Sequence, residues 1–343
     1  MRLPPSCVRP GRADNMHVNI SEKATMYIRH LQGPLCTLVV SGSLATGMGC
    51  GGVNHGGPPD ATADVSPPPP DAAPAPRCDP AKPFGTPTPI TEINSTSRDQ
   101  GAELIDDLTI IFGSDRNNTT GLYKATRSSP TSPFGAPTPL AAINASGKAT
   151  GPTLTGDGLT MYYALIAPGQ TTGDIYVTTR PSKAAEFPAG TQVIGLNDST
   201  FDDLDPFITA DGTTLYFDSA RSGVALDLYV AVRQGGNPFG APLALTNLDT
   251  NVVDGHPVLS HDGLTIYWSS TRTDGGAVGL TDIWTATRPS TAGAFGAPVR
   301  VPELSSSSGE SVSWISPDSC MVLLQSDRAV AGNQDIYQAV RPL

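Results

Sequence analysis

From Phe84 onward the chain is built of short apolar runs separated by polar turns. Thr214-Leu215-Tyr216-Phe217 and Thr265-Ile266-Tyr267-Trp268 are two such runs, entered through Asp211-Gly212 and Asp262-Gly263. Asp-Gly between apolar runs predicts a hairpin, because glycine takes positive φ at no steric cost. The same pattern recurs in columns. Arg127, Arg180, Arg233, Arg288 and Arg341 end five aromatic-centred runs at intervals of 53, 53, 55 and 53 residues. Those runs are Leu122-Tyr123, Asp174-Ile175-Tyr176, Asp227-Leu228-Tyr229, Asp282-Ile283-Trp284 and Asp335-Ile336-Tyr337. A turn aspartate falls at Asp107, Asp157, Asp211, Asp262 and Asp318. A Phe-Gly-x-Pro motif stands at Phe84, Phe134, Phe239 and Phe295, with a degenerate copy at Phe187.

Each unit therefore reads as strand, Asp-Gly turn, strand, Asp-Ile-Tyr strand and Phe-Gly-x-Pro strand. Four short antiparallel strands in a unit that cannot bury its faces alone predict an all-β, five-bladed β-propeller over residues 82–343. A two-sheet sandwich would not need five in-phase columns. The chain ends at Leu343, so the fifth unit lacks its own Phe-Gly-x-Pro strand, while the copy at Phe84 precedes the first unit. Supplied in space, the N-terminal strand completes blade five, closes the ring and removes its open edges.

The stretches Pro206-Phe207-Ile208-Thr209-Ala210-Asp211-Gly212 through Asp227-Leu228-Tyr229, and Ile315-Ser316-Pro317-Asp318 through Asp335-Ile336-Tyr337, resemble the TolB-type, WD40-like propeller repeats of bacterial envelope proteins. The resemblance covers residues 82–343. It implies the propeller fold and partner binding in the envelope, with no peptidase domain attached here.

Composition sharpens the picture at the N-terminus. Met26 through Cys50 carries Arg29, then an apolar stretch from Gly33 to Met48, then Gly49-Cys50. A basic start, a short apolar core and small residues before a cut describe a secretory signal. Cys50 followed by Gly51-Gly52 resembles a bacterial lipoprotein signal, with Cys50 as the lipid attachment site, although Gly47 stands where leucine is usual. Simple signal cleavage and a buried apolar segment are the alternatives. Residues 1–50 are thus read as a signal region, with 1–25 as a misassigned start. Residues 51–81, with Pro67-Pro68-Pro69-Pro70 and Pro74-Ala75-Pro76, are read as a tether. The net charge is −11, and residues 82–343 hold 26 acids against 15 bases. An acidic body repels phosphate backbones, so nucleic acid is excluded as a partner.

The cysteine count follows from export. Cys7 and Cys36 leave with the signal and Cys50 carries lipid, which leaves Cys78 and Cys320 to pair in an oxidising compartment. Cys78 precedes the orphan strand and Cys320 lies in the blade that strand completes. Two unpaired thiols are the alternative.

Chemistry is sparse. His256 and His261 are the body's two histidines, five apart, with no cysteine or third histidine to make a zinc site. No Gly-x-Ser-x-Gly elbow or phosphate-cradling loop is present. Acids eight residues before the turn aspartates form a column, Asp99, Asp203, Asp254 and Glu310, with Ala149 in unit two. Channel-mouth acids of this kind serve glycoside hydrolysis. Arginines follow each turn at Arg116, Arg221, Arg272 and Arg328, and unit two has Ile166-Ala167 there. Acid and arginine vanish together, which predicts structural ion pairs between them. A carboxylate held by arginine is a poor general acid.

The sequence reading is an exported, lipid-anchored monomer in the bacterial envelope. It is a non-catalytic propeller that binds an envelope protein or small ligand, without cofactor, metal or catalytic residue. Its alternative is a carbohydrate-active hydrolase using Asp203, Asp254 and Glu310.

Overall fold

A computed structural model describes residues 77–343; the signal region, Cys50 and residues 51–76 lie outside the described residues. Five four-stranded antiparallel sheets follow one another along the chain. After β1 (Thr88–Pro89) comes blade one, made of β2 (Asp99–Asp106), β3 (Thr109–Ser114), β4 (Gly121–Thr126) and β5 (Thr138–Pro139). A one-turn helix, α1 (Ala141–Asn144), leads into blade two: β6 (Lys148–Leu154), β7 (Thr160–Ile166), β8 (Asp174–Thr179) and β9 (Thr191–Gln192). Blade three is β10 (Asp203–Ile208), β11 (Thr214–Ser219), β12 (Asp227–Val232) and β13 (Leu243–Ala244). Blade four is β14 (Asp254–Leu259), β15 (Thr265–Ser270), β16 (Asp282–Thr287) and β17 (Val299–Arg300). Blade five has three consecutive strands, β18 (Glu310–Ile315), β19 (Met321–Val330) and β20 (Asn333–Val340). Its fourth is β1, paired to β20 through Thr88↔Gln338 and Pro89↔Tyr337. The propeller and its closure by the N-terminal strand are as the repeat phase requires. Among the described residues no helix is long and apolar enough to cross a membrane.

The turn column works as its chemistry dictates. Asp157, Asp211 and Asp262 each accept a backbone N–H two residues on, from Leu159, Thr213 and Leu264. The following Gly158, Gly212 and Gly263 sit at φ +67°, +70° and +68°, where a side chain would be strained. The Phe-Gly-x-Pro motif differs from its sequence reading. It is not itself a strand; a two-residue strand follows it in every blade. The motif glycine gives one backbone N–H to the end of the third strand, as Gly240 does to Val232, and proline, which cannot donate, separates that bond from the short ladder that follows. The motif phenylalanine instead packs beneath the column arginine. Arg127, Arg180, Arg233, Arg288 and Arg341 lie 4.6, 4.3, 4.8, 4.5 and 3.8 Å from the ring centres of Phe134, Phe187, Phe239, Phe295 and Phe84. Each arginine Nε also donates to a turn carbonyl, as Arg233 does to Gly212 at 2.6 Å. Packed strand, turn and outer edge are thereby tied together in each blade.

Ring closure is reinforced at the Asp-Gly end. Cys78 and Cys320 form a disulfide with Cα atoms 5.6 Å apart. Arg77 pairs with Asp318 at 2.7 Å, and the Asp79 N–H donates to the Pro342 carbonyl. Arg77 and its neighbours, read as the end of the tether, are therefore fastened to blade five. A loop spanning 242 residues is closed covalently, which a chain-entropy model values at roughly 5 kcal/mol.

Candidate functional site

The four column acids open the inner strands and none of them meets solvent: Asp99, Asp203, Asp254 and Glu310 are all 0% exposed. Arg116 Nη2 lies 2.8 Å from Asp99, Arg272 Nη2 2.6 Å from Asp254 and Arg328 Nη2 3.3 Å from Glu310; Arg221 pairs with Asp203. The preceding loop adds further donors. Ser95 and Thr250 each give a backbone N–H and a hydroxyl to Asp99 and Asp254, Ser306 does so to Glu310, and Asp198 gives its N–H to Asp203. Every arginine also reaches a loop carbonyl and a strand serine, such as Leu248 and Ser270 for Arg272. These are closed structural networks. Asp203, Asp254 and Glu310, the acids of the alternative reading, are each held by an arginine and shut off from solvent. In blade two, Ala149 packs instead in an apolar cluster with Met161 and Leu165.

Farther along each inner strand a bulge shifts the register, as between Leu204 and Phe207 or Gly255 and Val258. The bulge residues of all five blades meet around the axis in a constriction of about 20 Å³. Gly101 and Gly151 occupy it at φ +56°, while the equivalent Asp205 and His256 adopt φ +44° and +54°. A Cβ on Gly101 would meet the Gly151 Cα at 3.2 Å, so crowding as well as φ selects glycine there. Asp205 and His256 hold this unfavourable conformation at a cost of order 1 kcal/mol each. His256 Nδ1 lies 3.2 Å from Asp205 Oδ2. Behind them Asp218 is fully buried. Its Oδ2 accepts the His256 N–H at 2.9 Å, and its Oδ1 has no partner. Burial, then the charge of Asp205, drives the Asp218 pKa upward.

The channel opens below the constriction, at the Asp-Gly turn end, into a pocket of about 230 Å³ reached by all five blades. Its wall includes the fifth position of the inner strands: Glu103, Thr153, Phe207 and Trp314. Glu103 is 6% exposed, with Oε1 accepting the Leu154 N–H at 2.9 Å. Burial pushes its pKa up to about 8, against the opposing pull of that N–H and the Thr153 hydroxyl. It is therefore a neutral acid at pH 7. His261, exposed in the blade-four turn, lines the same pocket. Two grooves adjoin it, about 770 Å³ between blades five and one, and about 660 Å³ between blades three and four. Among the described residues no three His, Cys, Asp or Glu side chains gather as metal ligands.

Glu103 stands four positions past the column acid Asp99 on the same strand. Glu103 was readable as the lone acid in a column that otherwise runs Thr153, Phe207, Val258, Trp314, but only the bulge turns that column toward the axial pocket.

No family model matches the chain, and no curated protein does. Among solved structures, the catalytic domain of the Coprinopsis cinerea GH62 α-L-arabinofuranosidase superposes with a TM-score of 0.52 at 12% identity, over 76% of this chain and 97% of that one. The α-L-arabinofuranosidase from Lactobacillus brevis gives 0.50 at 11% identity, over 74% and 94%. TolB from Acinetobacter baumannii gives 0.46 at 17% identity over 72% of this chain, which spans only 55% of that protein's length. At these identities the likeness establishes a five-bladed propeller related to several propeller groups. It also corrects the non-catalytic, TolB-type scaffold reading. That reading leaned on repeat motifs, and those motifs build turns and blade edges. The fuller superpositions are with glycoside hydrolases, so the motifs carry no evidence for a binding role or against catalysis.

Proposed function

We propose that the protein is a carbohydrate-active hydrolase whose reaction centre is the axial pocket. One observation carries this reading: Glu103 is the single carboxyl in the roomy axial pocket that all five blades line, among apolar and hydroxylic neighbours, and burial raises its pKa to about 8. A carboxyl neutral at pH 7 in an apolar site is suited to protonate a leaving glycosidic oxygen. Phe207 and Trp314 offer aromatic faces to a sugar ring. His261 is the pocket's one other titratable side chain among the described residues, and is assigned activation of the attacking water. The superpositions with glycoside hydrolases support the class of reaction. Export with attachment through Cys50 belongs to the same proposal and is supported by the disulfide, since such bonds persist in oxidising compartments.

The test is turnover of neutral aryl glycosides and polysaccharides by the mature protein. Glu103→Gln should lower kcat by about 10²–10⁴ with an unchanged fold. Activity should fall as pH rises through about 8, where the donor loses its proton. A fully active Glu103→Gln variant, or no hydrolysis across the panel, rejects the proposal.

A further inference from the structure

The three cavities at the Asp-Gly end adjoin one another through shared lining residues. Leu104, Ile105, Trp314 and Pro317 line both the axial pocket and the groove between blades five and one. Thr209, Ala210, His261 and Gly263 line both the axial pocket and the groove between blades three and four. The axial pocket is thus the middle of a trough, with blades one to three on one side and four and five on the other.

Charge narrows what can lie there. Glu92, Asp106 and Asp107 line one arm, and Asp211 and Asp262 the other. The arginines along the trough are already engaged. Arg127 donates to the Asp107 carbonyl and stacks on Phe134; Arg288 donates to Gly263 and the Tyr216 hydroxyl; Arg77 is paired with Asp318. The lining holds five acids against these three arginines, each of which already has a partner, and the whole body is acidic. A polyanion would be repelled along the full length of the trough.

We infer that the ligand of this trough is an internal stretch of an extended, uncharged polysaccharide. This rests on the hydrolase reading only for cleavage; binding along the trough is a separate claim. It implies cutting within the chain, and release of oligosaccharides.

Affinity electrophoresis of the mature protein through gels holding arabinan, galactan, xylan or β-glucan tests binding without turnover. Polygalacturonate and alginate serve as anionic controls. At least one neutral polymer should retard the protein, and the anionic ones should not. Thr131→Trp and Thr291→Trp, exposed positions in the two arms, should each weaken retardation about tenfold. No retardation by any neutral polymer, equal retardation by the anionic ones, or indifference to both blocking variants overturns the inference, whatever the turnover. Products are read by size. Oligosaccharides support it; release of monosaccharide alone overturns it while leaving the hydrolase reading standing. Retardation without hydrolysis supports the trough and rejects the enzyme.

Discussion

Asp254 and Glu103 lie four positions apart in the repeat, on equivalent inner strands and both buried, at 0% and 6% exposure, yet their surroundings differ. Asp254 accepts from Arg272, from the N–H and hydroxyl of Thr250, and from Trp268 Nε1 at 3.2 Å. Glu103 has a backbone N–H and a hydroxyl, and no cation. The first is a closed network that holds an inner strand to the loop before it. The second keeps a proton because nothing pays for its charge. Burial alone does not decide what a carboxyl does; the number and charge of its partners do. Asp218 and Asp249 fall on the Glu103 side of this divide.

Breaking the paired class should give the largest effect. Asp203→Ala should strand Arg221 and cost about 3–5 kcal/mol in urea unfolding, and Arg221→Ala should cost about as much. The double variant should cost well below the sum, since blade two lives with Ala149 and no arginine. Strict additivity would show that the two side chains do not interact.

Neutralising the unpaired class should do the opposite. The folded pKa of Glu103 lies above its unfolded value of about 4.3, so the native state holds an extra proton between about pH 4 and 8. Its contribution is fully present below that window and is lost as pH rises through it. Glu103→Gln should therefore stabilise by on the order of 2 kcal/mol at pH 7 and by almost nothing at pH 4. Equal Tm shifts at both pH values would contradict this account.

Asp249 offers a milder version. In three blades an asparagine brackets one residue of the third strand, accepting its N–H and donating to its C=O: Asn94 on Ile336, Asn144 on Leu122 and Asn197 on Ile175. Asp249 accepts the Leu228 N–H at 2.9 Å but has no hydrogen to return when ionised. Burial, with Asp227 and Asp254 adding to it against Arg272, raises its pKa to about 7. Asp249→Asn should restore the bracket and stabilise by about 1 kcal/mol at pH 8, after allowance for its partial exposure, and the gain should shrink toward pH 4. The smallest effect is expected at the constriction. Asp205→Gly removes both a strained φ and a charge facing Asp218, and loses the contact with His256. A net change within about 1 kcal/mol is expected from thermal unfolding.

Most of the fold was legible because blades repeat. Asp-Gly turns, the arginine column and the orphan Phe84 each carry local physics that one sequence exposes five times over. The acid–arginine pairs were legible for the same reason, since Ala149 and Ile166-Ala167 depart together. Glu103 was not, because a site departs from its repeat at a single place, and one acid among Thr153, Phe207, Val258 and Trp314 reads as noise until the bulge directs it inward. Function was least legible. The motifs that resemble TolB-type repeats build the turns and outer edges of the blades.

The fastening at Cys78 also sets how the domain carries mechanical load. A pull arriving along the chain before Arg77 would otherwise fall on β1, which pairs with β20 at only two positions and would peel away like a zipper. The Cys78–Cys320 bond instead passes the tension to the head of β19, the longest strand of blade five, whose ladder with β20 runs from Met321↔Val340 to Val330↔Asn333. Under oxidising conditions the ring resists being drawn open from its own N-terminus. Once the bond is reduced, the same pull meets only the Arg77–Asp318 pair, single hydrogen bonds such as Asp79 to Pro342, the two β1–β20 residue pairs and the stacking of Arg341 on Phe84.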